Sequence, residues 1–214
     1  MSDAETDGLQ SGVRSPESGG DAPDAPDAPN RPDAPAVPPR SLVRVLALYL
    51  LGPVVLWWVL SQFVASVTWM VTGSMSPTLR ADSGAVDGVL VDRLSLRFRA
   101  PRRGEIVWFR LRDGDLVLKR VMGLPGETIS IAGGHVVVDG KPVTDLPEVA
   151  AINYVNAGHM GAGVQIMVSP GNYLVLGDDS ADSWDSRFWG CVSAADLRGC
   201  ARAILWPPAR VRWL

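Results

Sequence analysis

The segment E-I-V-W-F-R-L-R-D-G-D-L-V-L-K-R-V-M, residues 105–122, contains two runs rich in apolar and β-branched residues on either side of an Asp-Gly pair. β-Branched and aromatic residues favour strands, and Asp-Gly is among the dipeptides that tight hairpin turns prefer. The segment therefore predicts two antiparallel strands joined by a turn at Asp113-Gly114.

Short apolar runs separated by turn dipeptides continue on both sides of this hairpin. The runs include G-V-L-V-D, T-I-S-I, H-V-V-V-D, N-Y-L-V-L and A-R-A-I-L-W, and the turns include Pro125-Gly126, Gly133-Gly134, Asp139-Gly140 and Pro170-Gly171. Many short strands at this spacing favour a mainly β domain. We therefore expect a barrel-like antiparallel β domain in the C-terminal part of the chain.

A long uncharged stretch precedes this domain. No Asp, Glu, Lys or Arg occurs from Val45 to Leu79, and about 20 apolar residues suffice for a helix to span a bilayer. We predict a transmembrane helix over residues 43–67. A buried core helix would ordinarily show a polar face, and a cleaved signal peptide would have a shorter apolar region.

The charges beside the predicted span indicate its orientation. Arg31 and Arg40 precede it and Arg44 lies at its start, which favours a cytoplasmic N-terminus and an external C-terminal domain. Three arginines on the far side weaken that asymmetry: Arg80, Arg93 and Arg97.

The first 40 residues differ in composition from the rest of the chain. They contain eight acidic residues, three arginines and eight prolines, with proline at every third position from 23 to 35. Such a segment favours an extended, solvated polyproline II conformation, so we predict a disordered cytoplasmic tail over 1–40. The other 174 residues carry 15 acidic and 17 basic residues, which argues against a nucleic-acid partner.

The chain contains two cysteines, Cys191 and Cys200. An external domain permits a disulfide between them, and two free thiols are equally compatible with the sequence. Their spacing is not that of metal ligands, and His135 and His159 lie far from them, so we expect neither zinc nor another cofactor.

Lys119 is one of only two lysines in the chain. Strand alternation places it on the same face as Val117 and Val121. An amine among apolar neighbours is biased toward its neutral form and can then act as a general base. Periodicity alone, however, favours an edge lysine whose amine reaches water.

Two polar segments lie on either side of that lysine in the chain. T-G-S-M-S-P-T-L, residues 72–79, contains Ser74 after a glycine, and a serine nucleophile needs a base, a role that lysine fills in Ser-Lys enzymes. G-D-D-S-A-D-S-W-D-S-R-F-W-G, residues 177–190, lacks the spacing of a calcium loop. Taken separately, the segments predict a loop serine and a polar loop pinned by an ion pair.

Together the segments resemble type I signal peptidase, the membrane-bound Ser-Lys endopeptidase that removes signal peptides. The resemblance covers residues 70–214 and rests on four blocks that follow the apolar stretch in order: T-G-S-M-S-P-T-L, R-G-E-I-V-W-F, K-R-V-M-G-L-P-G-E and G-D-D-S-A-D-S-W-D-S-R-F-W-G. It favours catalytic roles for Ser74 and Lys119 over the structural roles that each segment alone suggests.

The resemblance implies a role for each matching residue. Ser74 is the nucleophile, Lys119 the general base, and Ser183 the hydroxyl that orients the lysine amine. The oxyanion hole comprises the Ser74 amide and the hydroxyl of Thr72, where the family usually has serine. The remaining expectations are a structural ion pair, Asp185 and Arg187, and candidate substrate-pocket residues, Met75, Leu79, Val117 and Leu118. Asp179 departs from the usual Gly-Asp-Asn.

The resemblance also implies a fold, substrates and a location. The expected catalytic domain, residues 70–214, is a coiled antiparallel β structure on the membrane surface, with a reduced insertion at about 127–170. The implied substrates are exported preproteins cleaved after Ala-x-Ala, at the external face of the plasma membrane and near the secretion translocon. The alternatives are a peptidase dedicated to a pilus or conjugation protein and a catalytically silent membrane-anchored binding module.

Overall fold

The structure, a computed structural model, describes residues 39–82 and 84–214. The acidic tail that the sequence predicts over 1–40 therefore lies outside the described residues, apart from its last two positions.

The uncharged stretch begins as a helix, α1, over Pro39–Phe63. Within it, Arg44–Phe63 is long and apolar enough to cross a membrane by length and composition, and none of that stretch is buried in the protein. The helix ends before the predicted limit of residue 67, because the backbone from Ala65 onward pairs with a strand of the domain. The β domain accordingly begins at residue 65 and not at residue 70.

The remainder of the described chain contains short strands, two short α-helices and three single-turn 3₁₀ helices, joined by loops. The strands are β1 Ala65–Trp69, β2 Ala81–Asp82, β3 Ala85–Val86, β4 Gly88–Asp92, β5 Ile106–Arg110, β6 Leu116–Gly123, β7 Thr128–Ala132, β8 His135–Val138, β9 Lys141–Pro142, β10 Ile166–Met167, β11 Asn172–Leu176, β12 Val192–Ser193, β13 Leu197–Trp206 and β14 Arg212–Trp213. The α-helices are α2 Pro147–Ala150 and α3 Ser186–Trp189. The mainly β prediction is confirmed.

The largest sheet has the strand order β1-β4-β13-β5-β6-β11-β12, with β14 also paired to β13, and its pairs are antiparallel. β5 and β6 form the predicted hairpin, in which Arg110 pairs with Leu116 and Gly114 has φ +100°. Among the described strands, β1 and β12 end the sheet without pairing to each other. The barrel-like prediction is therefore wrong, because the sheet stays open at these two edges.

A separate four-stranded sheet, here called the small sheet, has the order β10-β7-β8-β9 and lies within the predicted insertion. Its two turns are the expected ones: Gly133-Gly134 joins β7 to β8, and Asp139-Gly140 joins β8 to β9. All four turn residues have positive φ, which tight hairpin turns of this type require.

Buried side chains fix the segment that follows β1. Met75 and Leu79 are fully buried in a cluster with β4, β5 and β13 residues, which include Val89, Val91, Ile106 and Ile204. Burying these two side chains holds the intervening backbone against the main sheet. The two cysteines, whose pairing the sequence left open, are both free thiols.

Candidate active site

Ser74 lies in a compact turn between β1 and the buried Leu79. The Ser76 amide donates to the Gly73 carbonyl at 2.7 Å, and the Leu79 amide donates to the Met75 carbonyl at 2.9 Å. Because Met75 and Leu79 point into the core, the turn holds Ser74 at the surface of the sheet.

Lys119 lies in β6, which pairs with β5 on one side and β11 on the other. Its side chain is only 4% exposed, so the alternative of an edge lysine that reaches water is wrong. The amine Nζ donates to Ser74 Oγ at 2.5 Å and to Ser183 Oγ at 3.0 Å. The fold thus brings together three residues that are up to 109 positions apart in the chain.

Burial lowers the pKa of the Lys119 amine from 10.5 to about 8. Desolvation of the charged form is the main cause; the Asp185 carboxylate opposes the shift and the Arg187 guanidinium reinforces it. A neutral amine within hydrogen-bond distance of a serine hydroxyl can accept its proton.

Thr72 lies beside the nucleophile candidate. Its Oγ1 is 3.2 Å from Ser74 Oγ, close enough for a hydrogen bond in either direction. A hydroxyl that can turn toward a new partner is able to donate to an oxyanion formed next to Ser74. The methyl group that distinguishes threonine from serine leaves this donor in place.

The predicted ion pair between Asp185 and Arg187 is present and fully buried. Asp185 Oδ1 accepts from Arg187 Nε at 2.8 Å, and Oδ2 accepts from Arg187 Nη2 at 2.8 Å and from the Gly177 amide at 2.9 Å. Asp185 also caps α3 by accepting from the Arg187 amide. The pair therefore joins the two ends of the loop that carries Ser183.

Gly177 fits where a larger residue would not. A Cβ built on it would lie 2.1 Å from Ser183 Oγ and 2.4 Å from the Ser74 carbonyl oxygen. The loop backbone thus approaches the turn of Ser74 as closely as packing allows. The Asp179 amide, which donates to the same carbonyl at 3.1 Å, adds a hydrogen bond between the two segments.

A second buried ion pair, which was not predicted from the sequence, lies next to Lys119. Arg120 donates from Nε to Asp178 Oδ1 at 2.7 Å and from Nη2 to Asp178 Oδ2 at 2.5 Å, and its Nη1 donates to the Gly104 carbonyl. The available signals were an arginine directly after the strand lysine and an aspartate directly after Gly177. Neither signal shows from sequence that the two side chains meet.

A cleft of about 440 Å³ is lined by Thr72, Ser74 and Lys119. Of the four candidate substrate-pocket residues, Val117 and Leu118 line this cleft, whereas Met75 and Leu79 are buried in the core and do not. The sequence pattern does not distinguish these two pairs, because it shows that a residue is apolar and not which side of the turn it faces. Further lining residues that the sequence analysis did not single out are Thr68, Trp69, Trp108, Leu116 and Trp184.

Nothing in the described ranges, 39–82 and 84–214, resembles a metal centre: they contain no group of three or more His, Cys, Asp or Glu side chains placed to hold an ion.

The family model described as "Signal peptidase, peptidase S26" matches residues 42–206. This chain belongs to that family. It is a hydrolase of the serine peptidase type, and its resemblance to type I signal peptidase is confirmed.

Individual relatives agree with this assignment. A Synechocystis protein named "Probable signal peptidase I-2" is 33% identical over 81% of this chain and 78% of its own length. Signal peptidase I of Leptolyngbya laminosa is 33% identical over 70% and 72%, and that of Mycobacterium tuberculosis is 29% identical over 80% and 75%. A crystal structure of a signal peptidase I from Enterococcus faecalis is 28% identical, with a TM-score of 0.40, over 48% of this chain and 97% of that one.

Proposed function

We propose that this signal peptidase family member cleaves signal peptides from exported preproteins after Ala-x-Ala sequences by means of a Ser74–Lys119 dyad. The observation that carries the proposal is the hydrogen bond of 2.5 Å from the buried Lys119 Nζ to Ser74 Oγ, which is partly exposed in the cleft. A lysine with lowered pKa beside a serine, at the floor of an apolar cleft, supports acyl transfer.

The reaction takes two steps. Ser74 Oγ attacks the scissile carbonyl carbon while its proton passes to Lys119 Nζ, and the Ser74 amide and Thr72 hydroxyl stabilise the oxyanion. Lys119 then gives the proton to the departing amine, and the C–N bond breaks to leave an acyl-serine. In the second step Lys119 takes a proton from water, the hydroxide attacks the ester, and the proton returns to Ser74.

The open edge of the main sheet offers a place for an extended substrate. Within the described residues β1 pairs only with β4, and the cleft lies between the backbone following β1 and residues 116–119 of β6. A signal peptide that adds as a strand here would place alternate side chains against the cleft wall. Val117, Leu118 and Trp108 make that wall apolar, which suits the methyl groups of Ala-x-Ala.

Helix α1 serves as a single membrane anchor in this proposal. The N-terminus lies in the cytoplasm and the β domain on the external face of the plasma membrane, as the arginines before the helix favour. Holding enzyme and membrane-inserted signal peptide at one bilayer raises their effective concentration.

The test is cleavage of a preprotein with an Ala-x-Ala site by the full chain purified in detergent. The variants are Ser74→Ala and Lys119→Ala, and the matched control is Lys141→Ala, which removes the other lysine of the chain. Cleavage at the expected bond by the parent and by Lys141→Ala, with none by the two dyad variants, supports the proposal.

Two other outcomes contradict it. Cleavage by Lys119→Ala at the parental rate excludes the dyad. A folded parent that leaves this preprotein intact rejects the Ala-x-Ala specificity; covalent labelling of Ser74 by a serine-directed acylating reagent then distinguishes a peptidase with a dedicated pilus or conjugation substrate from a catalytically silent module.

A further inference from the structure

The Arg187 guanidinium reaches beyond its ion pair with Asp185. Its Nη2 donates to the Ser183 carbonyl at 3.3 Å, and its Nη1 donates to the Val155 carbonyl at 2.9 Å. The Arg187 side chain is 1% exposed; its contact with the Ser183 carbonyl is buried, and its contact with the Val155 carbonyl is part-buried. One buried side chain thus links Ser183, which contacts the lysine amine, to a segment outside residues 177–185, here called the catalytic loop.

That segment is Tyr154–Met160, here called the brace, and it contacts Arg187 at two further points. The His159 amide donates to the Arg187 carbonyl at 2.6 Å. Gly158 has φ +50°, and a Cβ there would lie 2.3 Å from the same carbonyl oxygen. Backbone packing this close requires glycine and leaves the brace no room to shift toward the loop.

The brace is also tied to the small sheet. The Tyr154 amide donates to the Gly134 carbonyl at 2.8 Å. The side-chain amide of Asn156 donates to the Ile131 carbonyl of β7 at 3.1 Å and to the Met160 carbonyl at 3.2 Å. A continuous set of hydrogen bonds therefore runs from the small sheet through the brace to the loop that carries Ser183.

Ser180 lies where the brace and the guanidinium meet. Its Oγ accepts from the Val155 amide and from Arg187 Nη1, each at 2.8 Å. A serine hydroxyl offers two lone pairs as acceptors, so both are occupied. The side chain is buried, and it lines neither the cleft nor the dyad.

We propose that Ser180 is a positioning residue: by joining the brace to Arg187, its hydroxyl holds Ser183 against the Lys119 amine. The small sheet then acts on catalysis through the catalytic loop and not through contact with substrate. This inference rests on the proposed role of Lys119 as the general base.

A displacement of the catalytic loop would change the pKa of Lys119, because charged groups near that loop act on the amine. The largest of these effects come from Asp178, Asp182 and Asp185 of the loop that carries Ser183 and from Arg187 in α3. Loosening the loop admits water to the amine and weakens the desolvation that favours its neutral form, so the pKa of Lys119 rises. The cleft walls belong mainly to other elements, so substrate binding is preserved.

The experiment compares Ser180→Ala with the parent and with Ser193→Ala, using the full chain in detergent. Ser193 is a matched control because its hydroxyl also accepts a backbone amide, that of Ala195, but in an exposed turn away from Arg187. At pH 7 we expect kcat to fall about tenfold in Ser180→Ala, the effect of losing one hydrogen bond to a charged group. KM should stay unchanged, and the rise of kcat/KM should shift to higher pH.

A direct readout separates positioning from mere loss of folded protein. With only two lysines in the chain, isotope labelling of lysine side chains gives two NMR signals, and the Lys119→Ala spectrum identifies which belongs to Lys119. We expect that signal to titrate at higher pH in Ser180→Ala than in the parent. Asn156→Ala, which breaks the same link farther from the loop, should shift it in the same direction and remains testable if Ser180→Ala does not fold.

An unchanged titration and pH profile in both variants would overturn the inference, even if less folded protein is recovered. Failure of the dyad proposal looks different, because Lys119→Ala would then cleave as the parent does. The NMR titration of Ser180→Ala still tests the positioning role in that case.

Discussion

The Lys119 amine lies between two serine hydroxyls with almost no access to water. Replacing it by arginine keeps the positive charge but removes the base, since a guanidinium does not lose its proton near neutral pH. We expect Lys119→Arg to reduce kcat to the level of Ser74→Ala while near-UV circular dichroism stays native-like. Turnover close to the parental rate would show that another group accepts the proton.

The Thr72 hydroxyl is a second feature at the residue scale. Thr72→Val keeps the side-chain shape and removes the donor, and losing one oxyanion donor typically costs about 2.7–4 kcal/mol of transition-state stabilisation. We expect kcat to fall by roughly 10²–10³-fold in Thr72→Val and to change little in Thr72→Ser. Equal rates for the two variants would assign the oxyanion to a different donor.

Gly177 provides a steric test of the same site. Its Cβ in Gly177→Ala would overlap Ser183 Oγ and the Ser74 carbonyl, so we expect a large loss of kcat and a weaker effect on KM. Gly161→Ala is the matched control, because a Cβ there meets only Val164, at 3.8 Å. Similar kinetics for both variants would mean that the loop can move away without affecting the dyad.

The sequence predicted the central residues of the candidate site, but it did not predict which of their side chains meet in the fold. Alternation placed Lys119 with Val117 and Val121 yet left an exposed amine as the favoured alternative; only the resemblance assigned it a partner. Arg120 and Asp178 went unnoticed, since their contact depends on the pairing of β6 with β11. Met75 and Leu79 were assigned to the cleft, although the turn directs them into the core.

At the scale of elements, the composition of the sequence did not predict where α1 ends and β1 begins. Uncharged residues continue from Val45 to Leu79, so hydropathy gives no sign that the helix ends at Phe63. The end is set by pairing of Ala65–Trp69 with β4, a long-range interaction. Turn dipeptides, by contrast, act locally, and they predicted the hairpins of β5–β6 and β7–β8.

The loop between β11 and α3 depends on its buried ion pair. Arg187→Met would leave the Asp185 carboxylate buried and uncompensated, which typically costs about 3–5 kcal/mol. We expect a clear fall in the midpoint of thermal unfolding of the full chain in detergent. The comparison variant is Arg99→Met, whose pair with Glu105 is partly exposed, and about 0–1 kcal/mol is usual there. Equal midpoints for the two variants would contradict the structural role of Arg187.

At the scale of the whole molecule, the main parts of the described chain are an apolar helix, an open main sheet and a small sheet linked to the loop that carries Ser183; β2 and β3 form a further two-stranded sheet. Strand number and spacing correctly predicted a mainly β domain but wrongly predicted a barrel-like one, because sequence patterns do not show which strands form the edges. The open edge at β1 fits the proposed function, because it leaves backbone groups beside the cleft available to an extended substrate.

The most direct test of the account is the titration of Lys119 in the full chain, followed through its lysine NMR signal and compared with the pH dependence of kcat/KM for preprotein cleavage. The base is active when neutral, so activity should rise with pH, and a pKa of about 8 leaves about a tenth of the amine neutral at pH 7. We predict that the signal and the activity both change with a midpoint near pH 8. A Lys119 signal that titrates near the ordinary 10.5 of a lysine amine, while activity is already complete at pH 8, would contradict the assignment of Lys119 as the general base.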